Sequence, residues 1–288
     1  MTRKKAFWLS FACTLGVLIP IYAAALFFGT AHLGSPEAAV AGEGVGIAVR
    51  RPDAGDSKNL LLAVGEGENV TFSLVRFDAL QGKVCVMPVP SATRVETEAG
   101  KPSTVARQYA YAGPGLAAQQ LAALLGVRVD HYFSITRDGL VALGEKMGNI
   151  SLDLTQPELQ KIGGLPMGSG SGGKTVLSAT SAAELIRGAD AGEEALAPLR
   201  AEAYSAFLLA GMDRLNTILP DFLRSNDKSF STSILATDIY DYQRILDYLA
   251  LQQPEMRWGV LKTEPVPGEE SAVQVTEAGR EQAVELFS

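Results

Sequence analysis

Histidine and cysteine are scarce in this sequence, and their scarcity excludes several kinds of site. The 288 residues include two histidines and two cysteines. Cys13 lies in an apolar N-terminal run and Cys85 in a short stretch typical of a buried strand, so no disulfide framework is expected. The cysteines therefore do not show whether the domain lies in an oxidising or a reducing compartment. His131 is the only histidine of the main domain, and an isolated imidazole is more often structural than a base. The sequence therefore offers no Cys/His metal set and no convincing Ser/His/Asp triad.

An excess of positive charge is also absent. The formal net charge is −7, with 25 Lys and Arg against 32 Asp and Glu. Such a balance argues against binding to nucleic acid, or to an anionic membrane surface, by bulk electrostatics, although it is compatible with a local basic cleft. We therefore expect no nucleic-acid partner.

The start of the chain combines a basic tip with a long uncharged run. Residues 1–5 contain Arg3, Lys4 and Lys5, and residues 6–28 carry no charged side chain. As a helix this run would cross about 30 Å of hydrocarbon, and positive charge is retained on the cytoplasmic side. The pattern predicts a single-pass signal anchor in the cell membrane, with a cytoplasmic N-terminus and an extracytoplasmic main domain. The alternative is a cleaved signal peptide, although the run exceeds the usual apolar region of one.

The rest of the chain is expected to form one main domain. Hydrophobic residues make up 47% of the sequence and charged residues 20%, enough for a sizeable core. Residues 29–57 are rich in Ala, Gly and Pro and predict a linker, residues 58–263 predict the domain, and residues 264–288 predict a C-terminal tail. Within the tail, residues 277–287 suggest an exposed helix. Three strands followed by alternating helices and strands predict an α/β fold with a mixed sheet covered by helices.

Residues 109–140 carry the most specific pattern. Their sequence, YAYAGPGLAAQQLAALLGVRVDHYFSITRDGL, predicts a small-residue turn, a helix over 116–125, a strand over 127–133 and a second helix from Gly139. This stretch resembles the LytR-CpsA-Psr family of cell-envelope proteins. In that family an Ala/Tyr/Gly turn, a helix ending in Leu-Leu-Gly-Val/Ile and a strand beginning Asp-His-Tyr occur in this order, and the resemblance covers residues 59–263.

The resemblance implies a fold and an activity. The family fold is a three-layer α/β/α arrangement whose helices enclose an apolar pocket for a polyprenyl tail. The family activity is transfer of a glycopolymer from a polyprenyl-pyrophosphate carrier to peptidoglycan or another envelope acceptor, assisted by Mg²⁺. By resemblance, the implied partners are therefore a lipid-linked glycan or polyprenyl phosphate, an envelope acceptor and the membrane itself. A shared fold alone does not establish this activity.

The resemblance also indicates where a pyrophosphate would bind. Residues 177–187 are similar to the family's Leu-x-Gly-x-x-Ala-Leu-x-x-Val-Arg helix, which places Arg187 on its first arginine. Arg200 matches the arginine that opens the next family helix, with Tyr204 at the position of a Gln. In the family these arginines hold the pyrophosphate, a role suited to the planar guanidinium. Arg187 and Arg200 are thus the expected pyrophosphate ligands, the alternative being a helix-capping Arg187 and a solvated Arg200.

Several family landmarks are missing. Val70 occupies the approximate position of an acidic residue, residues 90–93 (PSAT) replace Pro-Arg-Asp-Thr, and Ala189 replaces a second arginine. Because the missing groups would hold Mg²⁺ and phosphate, catalytic residues and metal ligands stay unassigned and Mg²⁺ rests on the resemblance alone. An acidic surface loop and a substitute metal site are the two interpretations of Asp190, Glu193 and Glu194.

Residues 168–175 (GSGSGGKT) match the phosphate-loop pattern G-x-x-x-x-G-K-[ST] letter for letter. The pattern binds phosphate only between a strand and the helix that follows at once, and neither neighbour is expected here. We interpret the segment as a surface loop.

Three functions follow. The first is a transferase of the family type, and the second is a non-catalytic protein of the same fold that binds lipid-linked precursors or accompanies an active paralogue. The third is a purely structural module, which a filled apolar pocket would favour. The missing charged groups favour the second function, since each contributes to stabilising the transition state. Whether the chain is an enzyme stays open at this point.

Overall fold

The computed structural model describes residues 51–97, 100–155, 158, 160, 165–187, 193–225, 228–269 and 271–288, without the side chains of 187, 193–196, 213–216, 219–220 and 223–225. The strands are β1 (Ser57–Glu66), β2 (Asn69–Asp78), β3 (Lys83–Val89), β4 (Arg94–Glu96), β5 (Pro102–Thr104), β6 (His131–Ile135), β7 (Ile150–Leu152), β8 (Met167–Ser169), β9 (Thr175–Leu177), β10 (Phe230–Thr232), β11 (Glu255–Trp258), β12 (Thr263–Pro265) and β13 (Val273–Val275). The α-helices are α1 (Val105–Ala112), α2 (Pro114–Leu125), α3 (Arg137–Met147), α4 (Ala179–Arg187), α5 (Glu193–Ser225), α6 (Ala236–Gln252) and α7 (Glu277–Phe287).

A six-stranded mixed sheet with the order β10-β6-β1-β2-β3-β11 is the centre of the fold. β1, β2 and β3 are successive antiparallel neighbours, whereas β6 runs parallel to β1 and β11 runs parallel to β3. The predicted α/β fold with a central mixed sheet is confirmed. The turn from β1 to β2 requires glycine at Gly65, where φ is +127° and a Cβ atom would lie 2.1 Å from the carbonyl oxygen of Asn69.

Helices cover both faces of this sheet, which explains the continuous apolar run in β1. Alternate side chains point to opposite faces. Leu60 and Val64 join a core built with α3, α4, α5 and α6, which lie on what we call the first face. Leu61 and Ala63 join a separate core built with α1, α2 and α7, on the second face. Each face therefore has its own packed layer of helices.

The boundaries differ from the sequence prediction in three places. Residues 109–112 end helix α1 instead of forming a turn, because Thr104 caps that helix by accepting a hydrogen bond from the Arg107 amide. The turn is confined to Gly113, where φ is +81°. Strand β6 begins at His131, later than predicted, and β11 ends at Trp258, where a strand was predicted to begin. Single backbone hydrogen bonds continue past these ends, from the Asp130 amide to the Asn59 carbonyl and from the Gly259 amide to the Val86 carbonyl.

The last described helix was predicted with the correct bounds but the wrong exposure. Ala283 and Phe287 of α7 are fully buried against the second face. Asn59 Nδ2 and Arg76 Nη1 donate hydrogen bonds of 2.8 and 2.9 Å to the Phe287 carbonyl oxygen. Helix α7 is therefore part of the core, and an exposed tail helix is ruled out.

The predicted anchor over residues 6–28 and most of the linker over 29–57 lie outside the described residues. Within the described ranges, none of the helices is both long enough and apolar enough to cross a membrane.

Candidate functional site: a buried arginine beside an apolar cavity

Two polar side chains of α5 face the central strand β2. Arg200 and Tyr204 are four residues apart and so lie on one side of the helix. Both are buried, with 4% and 3% of their surface exposed. Opposite them are Thr71 and Ser73, which are two residues apart and so share the first face of the sheet. We call Thr71, Ser73, Arg200 and Tyr204 the polar cluster.

The electrostatics of Tyr204 show that these four groups are close together. Burial raises the pKa of the Tyr204 phenol, while the Ser73 hydroxyl, the charge of Arg200 and the Thr71 hydroxyl act in the opposite direction. The interpretation of Arg200 as a solvated surface charge is wrong, because its guanidinium lies inside the protein. A buried cation is costly unless polar groups or an anion compensate it.

Helix α4 ends beside the polar cluster. The Thr71 hydroxyl donates a 3.3 Å hydrogen bond to the carbonyl oxygen of Ile186, in the last turn of that helix. This bond places the backbone of Arg187 next to β2. The Arg187 side chain lies outside the described residues, so its role as a pyrophosphate ligand stays a prediction. The structure does bring α4, which ends at Arg187, and α5, which carries Arg200, to the same strand, β2.

An apolar cavity adjoins the polar cluster. It has a volume of about 100 Å³ and lies between the first face of the sheet and helices α3, α5 and α6. Tyr204 belongs to both, since its ring forms part of the cavity wall while its hydroxyl reaches the cluster. The remaining lining residues are Leu60, Leu62, Val64, Phe77, Phe133, Ile135, Leu140, Leu143, Met147, Phe207, Leu208, Ile234, Tyr242 and Leu246.

The backbone resembles several solved structures at low sequence identity. TagT bound to LI-WTA has 14% identity and a TM-score of 0.64, over 83% of this chain and 92% of that chain. TagV from B. subtilis has 13% identity and a TM-score of 0.59, over 80% of this chain and 95% of that chain. A transcriptional regulator from Enterococcus faecalis has 16% identity and a TM-score of 0.61, over 80% and 85% of the two chains. This chain has the fold of TagT and TagV.

That match supports the resemblance at the level of the fold. TagT and TagV belong to the LytR-CpsA-Psr family. No family model and no curated protein sequence matches the chain. The TagT fold is therefore shown, while the chemistry depends on the residues of this chain.

The positions of the missing family acids do not supply charge to the cluster. Val70 is buried on the second face, turned away from Arg200. The segment 90–93 forms a turn in which the Thr93 amide donates to the Pro90 carbonyl at 3.1 Å. Arg94 lies beyond it on the second face, 3.5 Å from Glu269, in an open groove of about 960 Å³ between α2 and α7. Arg94 therefore does not replace the missing arginine.

The described side chains of the polar cluster do not fit a Mg²⁺ site. The described residues include no group of three or more His, Cys, Asp or Glu side chains placed to hold a metal. The groups that act on Tyr204 are two hydroxyls and a guanidinium, whereas Mg²⁺ prefers carboxylate oxygens. The side chains of Asp190, Glu193 and Glu194 lie outside the described residues, so that interpretation stays untested.

Two other sequence features have structural roles. His131 contacts the ring of Tyr242 edge-on at 5.7 Å, and its Nε2 atom lies 4.0 Å from Asp238 Oδ2. Residues 168–175 form the exposed β8–β9 hairpin, and the chain continues from it as strand β9. A phosphate loop needs amides at the start of a helix, so this segment has the letters of the motif without its geometry.

Sequence reasoning did not single out Ser73. Its signal is weak, since Thr71 and Ser73 alternate with Phe72 and Leu74 as in a strand with one solvated face. Their burial follows only from the tertiary packing of helices, α4 and α5 among them, over this face of the sheet. The signal for Tyr204 was stronger, because it replaces a family Gln.

Proposed function

We propose that this chain binds a glycan linked to a polyprenyl pyrophosphate, in the manner of a LytR-CpsA-Psr cell-envelope protein. The tail enters the apolar cavity, and Arg200 and Arg187 contact the pyrophosphate. One observation carries the proposal: Tyr204 joins a buried guanidinium to an apolar cavity. A ligand with an apolar chain and an anionic head requires these two environments side by side. The fold shared with TagT, solved bound to LI-WTA, supports a glycopolymer-linked ligand.

The volume of the cavity implies that binding is coupled to opening. A cavity of about 100 Å³ is smaller than the roughly 150 Å³ that holds one benzene molecule in an engineered protein core. A polyprenyl tail therefore fits only when α3, α5 and α6 separate from the sheet. Met147 on α3 is a flexible side chain suited to such repacking. The cavity is not completely filled by side chains, which supports a binder over a purely structural module.

Binding is better supported than transfer. In a transferase the carrier leaves as polyprenyl phosphate, and cations must stabilise the charge that develops on it. Arg200 and Arg187 offer such cations, but the family acids are absent and the described residues offer no substitute. We therefore propose a non-catalytic binder of lipid-linked precursors first and a transferase to peptidoglycan or another acceptor second. In either case residues 6–28 anchor the chain in the cell membrane, with the domain on the outer side.

The test is a combined binding and release assay. The full chain in uncharged lipid nanodiscs is incubated with a short polyprenyl-pyrophosphate disaccharide, with and without Mg²⁺, and bound ligand and free polyprenyl phosphate are quantified. We expect binding that is lost in Arg187→Ala and Arg200→Ala and kept in Arg280→Ala, a half-exposed arginine of the second face. Release that depends on the same two arginines would establish the transferase. Absence of both binding and release would contradict the proposal.

A further inference from the structure

We infer that Ser73 and Tyr204 are headgroup-binding residues, whose neutral hydroxyls, together with Arg200, hold the anionic head of the ligand without Mg²⁺. The inference rests on the proposed function, because it concerns the headgroup end of the same ligand. It adds two binding residues. It also proposes that the headgroup binds without a metal ion, whereas the family resemblance implies Mg²⁺.

Among the described residues, both hydroxyls are buried without a hydrogen bond of normal length and angle. Ser73 is 1% exposed, and its hydroxyl and that of Thr71 lie close enough to the Tyr204 phenol to lower its pKa, but neither contact has the geometry of a full hydrogen bond. Buried hydroxyls are nearly always hydrogen-bonded, because leaving one unpaired costs free energy. Two such groups side by side therefore have hydrogen-bonding capacity that a ligand could use.

The surroundings select an anion as the missing partner. Each hydroxyl has one proton to donate, and Arg200 adds a permanent positive charge at the same place. Burial raises the pKa of Tyr204, so the phenol stays protonated and acts as a donor at neutral pH. Phosphate oxygens accept hydrogen bonds from hydroxyls and guanidinium alike. Because the Tyr204 ring lines the cavity, its hydroxyl lies where a tail would meet its phosphate.

The same surroundings disfavour a divalent cation. Mg²⁺ is normally held through one or two carboxylates and the phosphates of the ligand. The groups that perturb Tyr204 include no carboxylate, and Val70 takes the place of the family acid on the other face of β2. A divalent cation placed next to Arg200 would also be repelled by the positive charge of the guanidinium. An anionic headgroup would instead accept hydrogen bonds from the Ser73 and Tyr204 hydroxyls and be attracted by the Arg200 guanidinium, so it needs no metal ion.

The chain contains a matched control for each hydroxyl. Ser134 of β6, which is buried, and Tyr109 of α1, which is half-buried, also form a serine–tyrosine pair, but on the second face, where their oxygen atoms are 2.7 Å apart. Removing a hydroxyl from that pair perturbs the protein without touching the polar cluster. Ser73→Ala and Tyr204→Phe can therefore be compared with Ser134→Ala and Tyr109→Phe.

Equilibrium binding of radiolabelled farnesyl pyrophosphate to the full chain in uncharged nanodiscs tests the inference. We expect the same Kd in EDTA and in Mg²⁺, a rise in Kd of about tenfold in Ser73→Ala and in Tyr204→Phe, and no change in Ser134→Ala or Tyr109→Phe. Near-ultraviolet circular dichroism confirms that each variant is folded.

The other outcomes separate this inference from the proposed function. Binding that appears only with Mg²⁺ would overturn the metal-free headgroup site while leaving the ligand class intact. Unchanged affinity in both Ser73→Ala and Tyr204→Phe would show that the two hydroxyls do not contact the headgroup. No binding by the unmodified chain in either condition would contradict the proposed function itself.

Discussion

Each face of the central sheet carries a serine–tyrosine pair, and the two pairs differ in hydrogen bonding and in burial. On the second face, Ser134 and Tyr109 share a 2.7 Å hydrogen bond, and the Tyr109 ring contacts Phe72 edge-on at 5.7 Å. On the first face, the Ser73 and Tyr204 hydroxyls have no such partner within the described residues. The same two residue types thus form a hydrogen bond of normal geometry on the second face, where Tyr109 is half-buried, and none on the first face, where Tyr204 is fully buried. The first face therefore keeps donor groups that the protein itself does not use fully, as the proposed headgroup site requires.

The surroundings of the two pairs agree with this difference. The Tyr109 hydroxyl also lies 3.4 Å from the Gly65 carbonyl oxygen, so its environment is satisfied by the protein itself. Tyr204 instead borders an apolar cavity and a buried guanidinium. A purely structural account would leave that cavity and those hydroxyls as costs without benefit. A ligand with an apolar tail and an anionic head explains both.

Removing the charge from the first face should have the largest effect. We expect Arg200→Gln to weaken farnesyl pyrophosphate binding by about 30-fold, because a charged hydrogen bond to the headgroup is lost. Arg200→Lys should restore part of the affinity, since it keeps the charge but not the planar donor geometry. Arg94→Gln on the second face is the control, and equal affinities in all four proteins would contradict the role of Arg200.

Filling the cavity should have the next largest effect, and it should depend on the tail. Leu143 lines the cavity from α3, and Leu143→Phe places a ring where the tail would lie. We expect binding of farnesyl pyrophosphate to weaken by about tenfold, since part of the buried apolar area of the tail is lost. Competition with inorganic pyrophosphate measures the headgroup alone and should not change. Equal losses for both ligands would place the tail elsewhere.

Removing the Ser134 hydroxyl from the hydrogen-bonded pair of the second face should lower stability and leave ligand binding unchanged. Ser134→Ala leaves the Tyr109 hydroxyl without its 2.7 Å partner, so we expect the free energy of unfolding to fall by about 1 kcal/mol. Urea denaturation followed by circular dichroism measures this change. A variant as stable as the unmodified chain would mean that the second-face pair is no better satisfied than the first.

Removing the Ser73 hydroxyl from the Ser73–Tyr204 pair of the first face should have the smallest effect on stability. Ser73→Ala deletes a buried hydroxyl that makes no hydrogen bond of normal geometry among the described residues, so we expect a change within about 0.5 kcal/mol, or a small gain. The same urea experiment without ligand applies. A loss as large as that of Ser134→Ala would show that Ser73 is already hydrogen-bonded in the free protein, and the contrast between the two faces would disappear.

The sequence predicted the sheet and most of the helices because their patterns are local. The run Leu60 to Val64 is apolar at every position, as expected for a strand covered on both sides. The stop at Gly126, with φ at +67°, was also visible. Helix α1 was missed because Ala110, Ala112 and the following glycine look like a turn, whereas its capping residue lies earlier. The burial of α7 was missed because only tertiary packing shows that the sheet needs a cover there.

Only part of the candidate site could be predicted from the sequence. A motif identified Arg200 and a residue change flagged Tyr204, but neither shows that the guanidinium is buried. Ser73 looked like one of several polar residues in a strand, since alternation says which residues share a face and not what covers that face. The cavity depends on side chains from six strands and helices, distant in sequence, so no local pattern predicts it.

The most direct test of the central claim is to find where a polyprenyl tail binds. A polyprenyl pyrophosphate with a photoreactive group in its tail is crosslinked to the full chain in nanodiscs, and the labelled peptides are identified by mass spectrometry. We predict labels within 137–147 and 204–208, which form the cavity wall on the first face. Labels confined to 116–126 and 274–284, which line the open groove of the second face, would contradict the account.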